Sequence, residues 1–109
     1  MEALKQQVAE LVGNNDVVLF MKGTPQFPSC GFSARAVQVL KACGLKEFKS
    51  VNILMETPEM CQAVCDYASW PTWPQLYVKG EFIGGADIMT EMYQAGELQQ
   101  KLTGIAQPA

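Results

Sequence analysis

Val17-Val18-Leu19-Phe20-Met21 runs into Lys22-Gly23-Thr24-Pro25-Gln26-Phe27-Pro28, and that into Ser29-Cys30-Gly31-Phe32-Ser33. The first segment is an uninterrupted apolar run of strand length. It lacks polar alternation, which is the pattern of a central strand buried on both faces. A glycine and two prolines make the second segment a loop. Beyond the third, Ala34, Val37, Leu40 and Lys41 fall at helical spacing, and Gly44 closes that helix after Cys43. Cys30 therefore opens a helix directly behind a central strand.

The flanking sequence completes the architecture. Leu4, Val8, Leu11 and Val12 mark an earlier helix that Gly13-Asn14-Asn15 stops. Phe48 to Ile53 reads as a second strand. Thr57-Pro58 is an N-cap followed by proline at the first helical position, with Met60, Val64, Tyr67 and Ala68 along one face. Trp70-Pro71-Thr72-Trp73-Pro74 is rigid and non-helical. Gln75–Val78 and Glu81–Gly84 are short strands around Lys79-Gly80, a hairpin signal. Asp87 is expected to cap a last helical region, with Ile88, Met92 and Tyr93 inward and an interruption at Gly96. A β-α-β unit followed by a hairpin predicts an α/β fold with a four-stranded mixed sheet flanked by helices. No repeat or linker divides residues 1–109, which read as one domain.

Composition narrows the function. A net charge of −3, from 8 basic and 11 acidic residues, argues against a general nucleic-acid binder. No apolar run approaches the ~18 residues of a membrane span. Glu2, Lys5 and Glu10 make the first helix neither a signal h-region nor an Arg-rich transit peptide. The chain contains no histidine, which excludes a Ser-His-Asp or Cys-His triad and any imidazole metal ligand. The reactive inventory is Cys30, Cys43, Cys61 and Cys65, with no C-x-x-C pair. Modest cysteine usage points to an intracellular reducing compartment.

At a helix start, Cys30 meets unpaired N–H groups and a partial positive charge, both of which favour thiolate over thiol. Lys22 adds a second positive influence. On position alone, Cys30 reads either as an activated thiol or as a small buried residue at a strand–helix junction.

Met21-Lys22-Gly23, Cys30-Gly31-Phe32-Ser33, Trp70-Pro71-Thr72-Trp73-Pro74-Gln75 and Gly84-Gly85-Ala86-Asp87, in this order, closely resemble the monothiol glutaredoxins of the C-G-F-S class. The resemblance runs from about Leu4 to Leu102 and implies a thioredoxin-like fold. Dithiol relatives carry a resolving cysteine where this chain has Ser33, and a hydroxyl does not displace a thiolate from sulfur. The resemblance thus implies weak disulfide reductase activity and binding of a [2Fe–2S] cluster. Such a cluster needs four ligands. Cys43 lies ~20 Å along the helix from Cys30, and Cys61 and Cys65 lack ferredoxin spacing. One chain offers one well-placed thiolate, Cys30. The family completes the set with a second chain and two glutathiones, giving a cluster-bridged homodimer from a monomeric apo form.

The resemblance also assigns supporting residues. Lys22 is expected to pair with a glutathione carboxylate, although a solvated lysine after a strand is the ordinary alternative. Thr72 and Trp73 belong to the loop whose residue before a cis proline turns its backbone toward the glutathione cysteine. Trp73 reads otherwise as a core aromatic. Gly84-Gly85, with Ala86, lets backbone approach the ligand, and Asp87 is expected to bind the glutathione amino group. Phe32 either covers the cluster or packs, and Tyr77 and Phe82 read as sheet core. Two departures stand out. Ala86 replaces a cysteine common in the family. Cys61 replaces an arginine that grips the glycine carboxylate, which leaves open glutathione or a related low-molecular-weight thiol as ligand. Cys43 and Cys65 read as packing residues.

Three functions compete: a cluster carrier serving apo iron–sulfur acceptors, a glutathione-dependent oxidoreductase acting through Cys30, and a partner of a BolA-type protein in iron sensing. Ser33 favours the first over the second. The cytoplasm or the mitochondrial matrix would suit all three.

Overall fold

The computed structural model describes residues 1–105; positions 106–109 of the expected domain lie outside the described residues. The elements are α1 (Glu2–Gly13), β1 (Val17–Met21), α2 (Gly31–Ala42), β2 (Lys49–Asn52), a 3₁₀ turn (Ile53–Met55), α3 (Pro58–Ala68), β3 (Gln75–Val78), β4 (Glu81–Gly84), α4 (Ala86–Ala95) and α5 (Glu97–Lys101). The sheet order is β2-β1-β3-β4. Strand β1 pairs parallel with β2, Val18 opposite Lys49 and Met21 opposite Asn52. It pairs antiparallel with β3, Val17 opposite Val78 and Phe20 opposite Gln75, and β3 pairs antiparallel with β4.

The apolar run of β1 is explained by a helical layer on each face of the sheet. Val17, Leu19 and Met21 pack with Val37 and Leu40 of α2, Met89 of α4 and Leu98 of α5. Val18 and Phe20 face the other way, onto Val8 and Val12 of α1 and Val64 of α3, with Tyr77. Every residue of β1 is buried. Fully burying side chains of this kind stabilises the fold by ~1.5–3 kcal/mol each. The result is a thioredoxin-like α/β fold.

Strand direction gathers four segments at one end of the sheet. The loop after β1, the turn after β2, the loop before β3 and the end of β4 all lie there. The Trp73–Pro74 peptide bond at that end is cis.

Four details differ from expectation. Strand β2 starts one residue later than Phe48 and ends one residue before Ile53. The cause is Asn52, whose Oδ1 accepts the Leu54 N–H at 3.1 Å and starts the 3₁₀ turn. Tyr67, expected on the inner face of α3, is 39% exposed, whereas Ala63 is buried. Met89, not singled out by the sequence, is the fully buried large side chain of α4, while Met92 and Tyr93 pack half-buried against the same core as expected and Ile88 is half-buried. Asp87 is not the cap of α4. That position belongs to Gly85, which offers no side chain, and Asp87 lies in the first helical turn. Gly84 causes the shift. At φ 143° it turns the chain early, and a Cβ there would stand 2.9 Å from Ile88 Cβ. Its glycine thus also serves the packing of α4 against β4.

Candidate functional site

Cys30 is the N-cap of α2, in extended conformation at φ −152° and ψ 158°. Its Sγ accepts the Ser33 N–H at 3.4 Å and lies 3.4 Å from Ser33 Oγ. The Ser33 side chain is fully buried, and its Oγ also accepts the Lys22 N–H at 3.0 Å. As a thiol, Cys30 donates to this oxygen; as a thiolate, it can accept the Ser33 hydroxyl proton instead. Burial pushes the Cys30 thiol up. The Ser33 hydroxyl and amide, the Phe32 amide and the Lys22 charge outweigh it, so the group sits below the ordinary thiol range.

The loop that delivers Cys30 is tightly built. Gly23 has φ +91°, and a Cβ there would stand 2.5 Å from the Phe27 carbonyl oxygen. Thr24 and Phe27 exchange backbone hydrogen bonds at 3.2 and 3.1 Å, and Ser29 N–H donates to Lys22 C=O at 2.9 Å. Asn52 Oδ1 ties the loop to β2 by accepting the Gly23 N–H at 3.0 Å.

The other thiols differ. Burial raises Cys43, at the far end of α2. Burial and then the Glu56 charge raise Cys61, whose Sγ–H donates to Ile53 C=O at 3.6 Å. Burial raises Cys65, with Cys61 and Asp66 adding to it. All four cysteines are free. Among the described residues, no three His, Cys, Asp or Glu side chains come together as a metal site.

A groove of about 390 Å³ begins at Phe32 and is lined by Trp70, Thr72, Trp73, Pro74, Gly85, Ala86, Asp87 and Ile88. The structure thus brings five predicted residues, Thr72, Trp73, Gly85, Ala86 and Asp87, into one groove. Cys30 and Lys22 stand outside its lining, beside its Phe32 end. Phe32 is 56% exposed, so it does not pack into the core. Among the described residues, nothing pairs with the backbone N–H and C=O of Trp73 or with the Lys22 ammonium. Trp73 itself is half-buried against the α1/α3 layer. Cys61 is not part of this groove. A larger cavity of about 460 Å³, between α1, α3 and β2, contains none of the predicted site residues.

Three residues of the site area had no assigned role in the sequence. Ser33 was legible only as a missing thiol. Gln75 is fully buried, and its Nε2 donates to Trp70 C=O at 2.9 Å and Thr72 C=O at 3.2 Å, clamping the loop that presents Trp73. Its place in the Trp70–Gln75 motif was the available signal. Arg35 Nη1 lies 3.5 Å from Asp87 Oδ1, and no local pattern announces that contact.

An N-cap thiol on α2 and a cis-proline loop, at the same end of a thioredoxin-like sheet, define the glutaredoxin type of protein. The glutaredoxin family profile matches residues 17–83. Glutaredoxin 4 of Escherichia coli K12 is 54% identical over 99 residues, covering 91% of this chain and 81% of that one. A probable monothiol glutaredoxin of Legionella pneumophila is 56% identical over 85 residues, covering 78% of this chain and 93% of that one. The solution structure of reduced apo GrxS14 from poplar superposes with a TM-score of 0.79 at 51% identity, covering 94% of this chain and 92% of that one. The chain belongs to the glutaredoxin family, and within it to the monothiol class.

Proposed function

We propose that this monothiol glutaredoxin carries a [2Fe–2S] cluster. Two chains each contribute Cys30, and two glutathione molecules contribute the remaining thiolates. The cargo passes to apo iron–sulfur acceptors, in cluster assembly and iron homeostasis, with a BolA-type protein as an alternative partner. The chain is a monomer without cluster and a homodimer with it, and it works in a reducing compartment, cytoplasm or mitochondrial matrix.

The observation that carries this reading is Cys30 with Ser33. The helix end, the hydroxyl and Lys22 stabilise a thiolate, which is the form that binds iron. The residue positioned to resolve a disulfide is a buried hydroxyl that cannot do so. A single activated thiolate per chain leaves three cluster positions to be filled from outside. Lys22 would hold one carboxylate of glutathione. The unpaired Trp73 backbone would hold its cysteine residue, and Ala86 and Asp87, at the start of α4, its amino-acid end.

The lowered Cys30 thiol also favours the alternative activity, deglutathionylation. There the Cys30 thiolate attacks a protein–glutathione disulfide and takes the glutathione, releasing the protein thiolate. A second glutathione then regenerates Cys30 as oxidised glutathione leaves.

Anaerobic reconstitution with iron, sulfide and glutathione tests the carrier reading. Visible absorbance should appear together with a shift from monomer to dimer in sedimentation. A colourless monomer would overturn it, and a tight dimer at low micromolar concentration without cluster would contradict the assembly.

A further inference from the structure

Cys61 and Cys65 lie one turn apart on α3. Both are free and half-buried. Cys61 packs against the layer that holds Val64 and Tyr77, and its Sγ–H donates to Ile53 C=O at 3.6 Å. Cys65 Sγ accepts from Gln75 Nε2 at 3.9 Å, so it too faces the sheet. The two thiols are near enough that charge on Cys61 pushes the Cys65 thiol up. A recess of about 340 Å³ beside Cys65, lined also by Gln62, Asp66 and Trp70, opens the pair to solvent. Positions four apart on a helix hold their Cβ atoms ~5–6 Å from each other. A disulfide needs ~3.5–4.5 Å, so the helix keeps these sulfurs apart as a dithiol. A bridging metal ion fits where a direct bond does not: two metal–sulfur bonds of ~2.3 Å span up to ~4.6 Å between the sulfurs.

We propose that Cys61 and Cys65 form a two-coordinate site for Cu(I), separate from the site at Cys30. Among the described residues, no third His, Cys, Asp or Glu joins the pair to make a metal-binding group. Two thiolates fall short of the four-coordinate shell of a structural zinc, and soft sulfur donors select Cu(I). On binding, both S–H bonds break, two Cu–S bonds form and two protons leave to solvent. The copper stays Cu(I), so nothing is oxidised or reduced. The thiols give up only the long contacts to Ile53 and Gln75, which are weak hydrogen bonds at these distances. The proposal stands on α3 alone and does not depend on cluster binding at Cys30.

The test removes the competing thiols. The full chain carrying Cys30→Ser and Cys43→Ser is titrated, without oxygen, with Cu(I) held by bicinchoninate, a coloured chelator whose absorbance falls as copper leaves it. The chain should withdraw one Cu(I), release two protons, stay monomeric in sedimentation and show two sulfur neighbours by X-ray absorption. Adding Cys61→Ser or Cys65→Ser should each return the copper to the chelator, with far-UV circular dichroism unchanged. Retention of copper in either of these variants overturns the proposal, because one thiol would then suffice. A copper-bridged dimer overturns it too, since the ligands would come from two chains. Failure of the starting chain to withdraw copper rejects the site outright. If a further substitution unfolds the chain, X-ray absorption of the starting chain still decides: one sulfur neighbour, or three, rejects the pair.

Discussion

Helix α2 starts at one cysteine and ends at another. Cys30 is its N-cap and Cys43 its C-cap, with twelve helical residues between them. Both are half-buried and both are free. Desolvation pushes each thiol up, yet Cys30 ends below the ordinary range and Cys43 above it. At the N-terminus the sulfur meets the Ser33 amide and hydroxyl, with Lys22 nearby. At the C-terminus the free backbone groups are carbonyls, which offer an anion nothing. Burial therefore does not decide which thiol reacts. The direction of the helix and one serine do.

The strongest test of this contrast exchanges each cysteine for serine. Cys30→Ser should abolish cluster formation on reconstitution, read as loss of visible absorbance, whereas Cys43→Ser keeps the full signal. Cluster in Cys30→Ser would mean that another thiol is the ligand and that the two ends of α2 do not differ in the way described.

Alkylation by iodoacetamide as a function of pH, followed cysteine by cysteine by mass spectrometry, sharpens the electrostatic side. The thiolate is the reactive form, so each rate rises with pH through that thiol's pKa. The Cys30 profile should rise below an ordinary thiol and the Cys43 profile above it. Ser33→Ala removes the hydroxyl and moves the Cys30 profile to higher pH without moving that of Cys43. Coincident profiles in the unaltered chain would erase the contrast.

Ser33→Cys converts the N-terminal end to a dithiol. A sulfur would stand where an oxygen now lies 3.4 Å from Cys30 Sγ. Glutaredoxin turnover, expected to be low in the unaltered chain, should rise severalfold. The Lys22 N–H loses its oxygen acceptor, at a cost of about 1 kcal/mol in stability measured by denaturant. Brisk turnover before substitution would put deglutathionylation ahead of cluster carriage.

The mildest change is Cys61→Arg. If position 61 faces the ligand's glycine carboxylate, glutathione binding tightens by about fivefold or less, the range of an exposed ion pair. Titration with cluster lifetime in parallel reads it. No change would mean that α3 directs this side chain away from the ligand, as its thiol now turns to the Ile53 carbonyl.

Much of the fold was legible because apolar runs and turn residues coincided. Val17–Met21, Gln75–Val78 and Glu81–Gly84 match the strands residue for residue. Lys79 and Gly80 both take the positive φ of a tight hairpin turn. Legibility failed where a side chain competed with the backbone or where a contact crossed elements. Asn52 ends β2 through its own amide, which periodicity does not encode. The start of α4 was misplaced because aspartate is a common N-cap, while the turn at Gly84 begins the helix earlier. In the site, Cys30 stood out through its motif. Ser33 as a hydroxyl donor, Gln75 as a clamp and Arg35 against Asp87 all depend on which elements pack together, and only the fold supplies that.

Asn52 Oδ1 accepts from Gly23 on one side and Leu54 on the other. One carbonyl oxygen thus secures the loop that delivers Cys30 and the turn that leaves the edge strand. Releasing either amide proton to solvent frees the asparagine that holds the other. In a hydrogen-exchange experiment, Gly23 and Leu54 should therefore exchange as one cooperative unit. The reactive thiol's approach loop would then share its opening with a strand edge on the far side of β1, and disturbance at one would be felt as lost protection at the other.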